Sequence, residues 1–590
     1  MKSLFRYLIL IVIITLMALL SQFAPALFSF FHHSADASLL IAFFSISILF
    51  ILGFIVHHVA EKTIFPSFVI AIFFGIAAQP LLLPITQERE MLSVIVGIGA
   101  TLILFGGGLE TPFDNFKKLV WKIASLSFFG LLITAALFST VLVFIGNSLG
   151  APVPIPVAVL LGAILASTDP AAIIPILKQL RFKKPSVKNL VISESAVTDV
   201  SGTLLTLAIL ALLALNPIIT SVTAAYQGLF SYGTAMLLLR EVIFGIVFGV
   251  IGYGLLYLLA SFTKKNSHES DAEAAYFLFV PIMMSAFALA FGGSGYFAAF
   301  IAGLLFMFER HLHHTEQFFN HTIEGFFKPT IFILLGALVQ TQELINYAGI
   351  GLLASVVFML IIRPLAVFLS LGPFSLFGKK TERLCIKELL FISFVRETGA
   401  IPAVLLVTIV GLGIPGLSGL VPIGMWIILS TLIIQPPLTP YIAKKLQVAT
   451  PIQDDHHLII QNQGEPFVII GSRGFSFLDR LDKVVTWATK HNIYRIIVLH
   501  CLEQKYTEAK AKEIGEQAVV AFAHINEKRQ EEGLPLLAFD YVSRKGFLQQ
   551  NINKIAKEQS DVTAIFVGKW VLDYRLKDIK ELNVPLFFMD

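Results

Sequence analysis

The chain has 590 residues, 56% of them hydrophobic and 14% charged, with a mean hydropathy of +0.81. A water-soluble protein of this length would expose too many of those apolar side chains. The net charge of +4 is small and its Lys and Arg fall in short loops, which offers nucleic acid no basic face to bind. Cys385 and Cys501 lie in different regions, so no disulfide framework is indicated.

Long apolar runs recur from Leu4 to about Tyr441 and then stop, the pattern of an all-α polytopic membrane protein with a soluble tail. Fourteen candidate spans of roughly 17–25 residues, the length needed to cross the apolar core, lie near 4–22, 38–58, 65–84, 92–109, 120–146, 154–177, 188–214, 235–262, 274–291, 294–309, 325–341, 345–371, 386–411 and 418–443. The first reads as a retained span. The alternative is a signal peptide, since Lys2 and Arg6 precede the apolar stretch and small residues follow near Ala24.

Loop charges test the count, because cytoplasmic loops carry an excess of Lys and Arg. With the N-terminus inside, the inner segments hold Lys2 and Arg6; Lys62; Lys117, Lys118 and Lys122; and Arg181, Lys183, Lys184 and Lys188. Further along come Lys264 and Lys265, Arg310, then Lys379, Lys380 and Arg383, and finally Lys444 and Lys445. The outer loops contain only Arg89, with Arg240 close to the end of a span. The expectation is a cell (inner) membrane protein with both termini cytoplasmic, divided into a transmembrane domain 1–446, a linker 447–462 and a cytosolic α/β domain 463–590.

Ionisable groups inside a membrane are costly and usually line a protein interior or an ion path. The deep ones here are Asp169, Glu194, Asp199, Arg363, Arg396 and Glu397. Asp199 lies eleven residues past Lys188, about 16 Å into its span at 1.5 Å per residue. The bland alternative is that these charges only pair to hold helices together.

Asp169 sits in LLGAILASTDPAAIIPIL, Leu160 to Leu177, where Pro170 removes a backbone donor and disfavours helix at the residue before it. Pro175 repeats the disruption. Broken backbone at membrane depth is tolerated where it is buried in protein or lines a wet cavity, and in transporters it marks the ion site. FVRETGAIPAVL, Phe394 to Leu405, places Arg396, Glu397, Gly399 and Pro402 inside another apolar span, seven spans later and therefore in the opposite orientation. Two broken helices so related are expected of an inverted repeat crossing at the midplane.

These segments resemble a known family. ASTDPAA is similar to the pattern ATDPVA, SESAVTD to ESLLND, SGYFAAFIAGLLF to SGxLAxFvAGl, and FVRETGAIP to GLRGAxp; IIRPLAVF resembles a helix with a buried arginine. LILFGGGLETPFDNFKK resembles LLFEGGLxLdl, with Gly106 where an acid is common. The chain thus resembles the monovalent cation/proton antiporters of the first subfamily, the NhaP-like sodium/proton exchangers.

The resemblance implies that Asp199 binds sodium and protons alternately, with Asp169 and Thr168 at the helix crossing. It implies that Ser195 and the Thr168 backbone add ligands, and that Glu194 pairs with Arg363 to stiffen the core. Pro170, Arg396, Glu397 and Gly399 would support the broken helices. Glu397 is unusual for the motif, and Thr198 stands where the subfamily has Asn. A hydroxyl can hydrogen-bond or ligate a cation but cannot copy an amide.

From about Gln447 the composition turns polar. Apolar runs at Phe467–Gly471, Arg495–Cys501, Leu536–Val542, Ala564–Gly568 and Pro585–Asp590 read as strands of a mainly parallel sheet. The order of elements resembles a universal-stress-protein domain, but FVGKWVLDYRLKD lacks the glycine-spaced nucleotide motif, and GSRG is too poor in glycine for a dinucleotide site. A structural or regulatory tail is expected, its ligand unknown; His456 and His457 read as solvated.

The expected function is exchange of a monovalent cation, Na⁺ first and K⁺ or Li⁺ as alternatives, for protons at Asp199. The expected partners are these ions, the lipid bilayer and a second copy in a homodimer, with no cofactor and no enzyme activity. The runner-up is a K⁺/H⁺ efflux antiporter regulated by its tail; a cation channel or a receptor are readings from other classes.

Overall fold

The computed structural model describes residues 2–31, 37–60, 66–111, 113–168, 174, 176–177, 180–215, 219–265, 274–306, 315, 319–320, 322–377, 383–451, 466–472, 481–502, 508–545, 562–568 and 586–589. The chain forms two units, one of Met1–Leu177 with Ser186–Val448, the other of Lys178–Pro185 with Ala449–Asp590.

The first unit is helical. Its elements begin α1 (Lys2–Ser21), α2 (Ala24–Phe31), α3 (Ala37–Ala60), α4 (Ser67–Ala77), α5 (Gln79–Gln87), α6 (Arg89–Leu109), α7 (Phe113–Ala124), α8 (Leu131–Ser148) and α9 (Ile155–Leu165). After the strand β1 (Leu180–Phe182), which belongs to the second unit, follow α10 (Pro185–Leu215), α11 (Val222–Gly228), α12 (Tyr232–Lys265), α13 (Ala274–Ala290), α14 (Gly295–Leu305) and α15 (Lys328–Ala337). The series closes with α16 (Thr341–Asn346), α17 (Ala348–Val357), α18 (Arg363–Phe377), α19 (Ile386–Phe394), α20 (Ala400–Leu412) and α21 (Leu420–Lys445).

Each apolar stretch read from the sequence holds helix. Among the described residues, seven helices are long and apolar enough to cross a membrane, or up to nine if two bent pairs each count as one span. Five further apolar helices are shorter, 10–17 residues. The stretch 65–84 is not one straight helix: α4 and α5 meet at 89°. Pro80 lies in the first turn of α5 and has no N–H to carry the α4 ladder forward, so the chain turns at Ala78.

Small residues let helices approach closely in this unit. A Cβ on Gly75 of α4 would lie 2.0 Å from the Ile333 carbonyl oxygen of α15, and one on Gly336 would lie 2.2 Å from that of Ile72. The α6–α14 crossing repeats the device: Gly108 faces the Phe300 carbonyl at 2.4 Å and Gly303 that of Phe105 at 2.2 Å, measured from the same hypothetical Cβ. Between apolar helices in lipid there is little hydrophobic drive, so such close backbone packing is a main source of association.

In the second unit, β1 pairs antiparallel with β2 (Ala449–Pro451), Arg181 opposite Thr450. Both strands are three residues long, and β2 falls in the stretch read from the sequence as linker. The remaining strands, β3 (Phe467–Ser472), β4 (Arg495–Leu502), β5 (Ala538–Lys545), β6 (Val562–Gly568) and β7 (Leu586–Met589), form one parallel sheet in the order β5-β4-β3-β6-β7. The central strand β3 is buried along Phe467–Ile470, as its unbroken apolar run requires of a strand covered on both faces. Helices α22 (Leu481–Lys490) and α23 (Glu508–Glu531) contribute Val484, Ile514 and Phe522 to its core.

Candidate functional site

The site is assembled on α10. Ser195, Thr198, Asp199 and Gly202 recur at three- and four-residue spacing, which places them on one face of that helix. All three of the polar side chains are buried, Asp199 with 5% of its surface exposed. Hydroxyls in so apolar a helix find the nearest carbonyl: Thr198 Oγ1 donates to the Ser195 oxygen at 2.9 Å and Thr203 Oγ1 to that of Asp199 at 2.7 Å.

Opposite this face α9 stops at Leu165, and Ser167 and Thr168 continue as irregular, fully buried backbone. The cause is written in the sequence. Pro170 has no N–H to give to the carbonyl four residues back, so the Ala166 oxygen is orphaned. Arg396 serves it instead: its Nη2 donates to the Ala166 oxygen and lies 3.4 Å from that of Leu165. A guanidinium at the C-terminal end of a helix also meets the negative end of its dipole. The same guanidinium lies over the Phe358 ring, 5.1 Å from its centroid.

Two hydroxyl contacts join the irregular segment to α10. Ser167 Oγ donates to Asp199 Oδ1 at 2.6 Å. Thr168 Oγ1 and Thr198 Oγ1 are 2.7 Å apart. The Thr198 proton is committed to the Ser195 carbonyl, so Thr168 is the donor of that pair. Thr198 therefore ties its own helix turn to the break, by a hydroxyl where the family pattern has an amide.

One turn before Asp199, Glu194 Oε1 accepts from Arg363 Nη2 at 3.0 Å, with 1% and 2% of the two side chains exposed. Arg363 begins α18 directly after a π-helical turn, Phe358–Ile362. A second π-helical turn, Ser125–Gly130, precedes α8; its Ser127 carbonyl accepts from Ser201 Oγ of α10 at 2.8 Å. Widened turns of this kind re-aim side chains at functional positions.

The second break lies at 395–399, between α19 and α20. It lies within the Phe394–Leu405 segment singled out from the sequence. Pro402 sits inside the first turn of α20, where a missing N–H costs nothing. Gln435 Nε2 caps the Phe394 carbonyl at 2.9 Å, and Thr398 Oγ1 meets Thr431 Oγ1 at 2.5 Å. Glu397 is fully buried in this break, two residues before Gly399, the N-cap of α20.

The structure therefore brings together Thr168, Ser195, Thr198 and Asp199, joins Glu194 to Arg363, and sets Arg396 against the end of α9. Asp169 and Pro170 lie outside the described residues. Ser195 Oγ has no hydrogen-bond partner among the described residues. Sequence reasoning missed Ser167, Thr431 and Gln435; a hydroxyl or amide within an apolar run carries no periodic signal, and only Ser167 stands beside a motif that could have drawn attention to it. What gathers here is oxygen: a carboxylate, several hydroxyls and unwound carbonyls, the ligands of a hard monovalent cation.

The sequence profile of the family described as sodium/hydrogen exchanger, transmembrane, matches residues 46–445. The Na(+)/H(+) antiporter 1 of Methanocaldococcus jannaschii is 29% identical over 371 residues, 61% of this chain and 81% of that protein. The K(+)/H(+) antiporter NhaP2 of Shewanella oneidensis is 26% identical over 364 residues, 61% of this chain but only 58% of its own length. Among solved structures, the sodium proton antiporter MjNhaP1 of Methanocaldococcus jannaschii at pH 8 superposes with a TM-score of 0.54 at 26% identity, covering 69% of this chain and 99% of that one. The chain belongs to the sodium/hydrogen exchanger family.

Proposed function

We propose that the chain is a secondary antiporter that exchanges a monovalent cation, Na⁺ first, for protons across the cell membrane, with Asp199 holding the two in turn. One observation carries this: a carboxylate buried midway along an apolar helix, accepting a hydrogen bond from the Ser167 hydroxyl in the irregular segment where a neighbouring helix breaks. A single buried carboxylate satisfies either a proton or a cation but not both, and a site with that competition, opened to one side at a time, suffices for antiport. The hydroxyls of Thr168, Thr198 and Ser195 supply further hard oxygens beside it. Asp169 is read as completing the crossing, with Arg396 and Glu397 compensating the broken ends.

The proposed frame is fourteen crossings with both termini cytoplasmic, as a homodimer in the bilayer, and a universal-stress-protein-like regulatory tail. K⁺ in place of Na⁺ is the second reading, favoured by relatives named K(+)/H(+) antiporters. The test is cation-driven dissipation of a pH gradient in proteoliposomes, comparing Na⁺, K⁺ and Li⁺. Asp199→Asn is expected to abolish exchange with every cation while inserting and unfolding thermally as the parent does. Substantial exchange by that variant overturns the assignment.

A further inference from the structure

Ser167 hydrogen-bonds Asp199 directly from the broken segment, Oγ donating to Oδ1 at 2.6 Å. The backbone makes room for it from both sides. α9 ends at Leu165 with its carbonyls served by Arg396, which leaves residue 167 just past the end of the helix, with its side chain on Asp199. Across from it stands Gly202, three residues along α10 from Asp199; a Cβ there would fall 2.8 Å from the Ser167 Cβ. Segment and helix therefore touch backbone to side chain, and Ser167, with no exposed surface, has little room to swing away.

We propose that Ser167 is a positioning residue of the transport site, whose hydroxyl fixes the Asp199 carboxylate and thereby sets how well the site separates a small monovalent cation from a larger one. The proposal rests on Asp199 as the exchanging group. Ser167 holds Oδ1 of the carboxylate, and the adjacent residues Thr168 and Thr198 join the same segment and helix by their hydroxyls. A small ion needs short contacts to several oxygens at once, and a preorganised set provides them without a reorganisation cost. A larger ion, content with longer and looser contacts, gains less from that rigidity. Alanine at 167 would remove that hold on Oδ1 and weaken the preference for the small ion.

The experiment compares the parent, Ser167→Ala and Asp199→Asn as full-length chains in proteoliposomes, measuring half-saturation and maximal rate for Li⁺, Na⁺ and K⁺. A hydrogen bond to a charged group is strong enough that its loss should raise half-saturation for Na⁺ about tenfold. K⁺ half-saturation should change little and the maximal rates should stay within about twofold of the parent. Na⁺-dependent thermal stabilisation of the detergent-solubilised protein should shift in the same proportion, without any transport step. If Ser167→Ala does not yield folded protein, Ser167→Cys, with a weaker donor, is read instead and is expected to shift in the same direction. Unchanged half-saturation and Na⁺/K⁺ preference in that variant, or a fall in maximal rate and yield alone, overturns the proposal. Exchange retained by Asp199→Asn overturns the site reading on which it rests, and the two failures are told apart by which variant shows them.

Discussion

Glu194 and Arg363 are bonded at 3.0 Å with almost no surface exposed, so each charge depends on the other for solvation. Removing one partner of a buried pair strands the other and typically costs about 3–5 kcal/mol, whereas replacing both by apolar groups of similar volume is often neutral. Arg363→Ala should therefore lower the thermal unfolding temperature and the yield of folded protein far more than it changes Na⁺ half-saturation. The double variant Glu194→Leu/Arg363→Met should recover most of the loss. Unfolding followed by size-exclusion fluorescence checks both; normal stability with lost cation affinity in Arg363→Ala would make Arg363 part of the binding site. This pair was expected from the family resemblance, since six deep charges in apolar spans do not by themselves say which of them pair. Ser167 was not, because a serine costs little to bury once bonded and nothing in the spelling of the chain says to what.

At the scale of elements, the proline after Asp169 announced the end of α9, and the observed cap shows why: it deletes the N–H that would have served the Ala166 carbonyl. The second break was legible only as a region. Arg396, Glu397 and Gly399 lie in it, whereas Pro402 lies just beyond it, since a proline breaks a helix in its interior but is accepted in its first turn. The 89° turn between α4 and α5 was missed for the converse reason, its proline lying in a stretch that reads as uninterrupted apolar span. Glycine crossings were likewise invisible, because a glycine meant for close approach and one in open space are spelled alike. Gly107 and Gly108 separate the two cases. A Cβ at Gly107 meets nothing within 4 Å, while one at Gly108 falls 2.4 Å from the Phe300 carbonyl oxygen. Gly107→Ala should leave stability unchanged or raise it by about 0.5–1 kcal/mol, the ordinary gain of alanine over glycine inside a helix. Gly108→Ala should force α6 and α14 apart and lower the unfolding temperature sharply. Equal behaviour of the two variants in a thermal-unfolding measurement would mean that this crossing does not hold the helices together.

For the whole molecule, composition alone separated a helical membrane unit from a polar tail, and the tail's apolar runs fall on five of its strands. The short pairing of β1 with β2 was not legible, since three-residue strands some 270 residues apart carry no pattern of their own. The charge inventory of the membrane unit decides the stoichiometry to be expected. Arg363, Arg396, Glu194 and Glu397 are buried in its centre, and Glu194 is paired with Arg363. Asp199 is the acid proposed above to carry the exchanged proton. Its neighbour Thr198 carries a hydroxyl that does not titrate in the usable range and is already engaged with Ser195 and Thr168. A second exchangeable proton would need Glu194, which is committed to Arg363, or Glu397 beside Arg396. One proton should therefore move for one cation, with no net charge transferred. Imposing a membrane potential on proteoliposomes at fixed ion gradients tests this: each 100 mV acts on a transferred charge with about 2.3 kcal/mol, so an electroneutral exchanger should run at the same rate across the voltage range. A strong response to voltage would mean that more than one proton accompanies each cation. Repeating the measurement with Glu397→Gln would then decide the source of the second proton, since loss of the voltage response in that variant assigns it to Glu397, and its persistence points to another group.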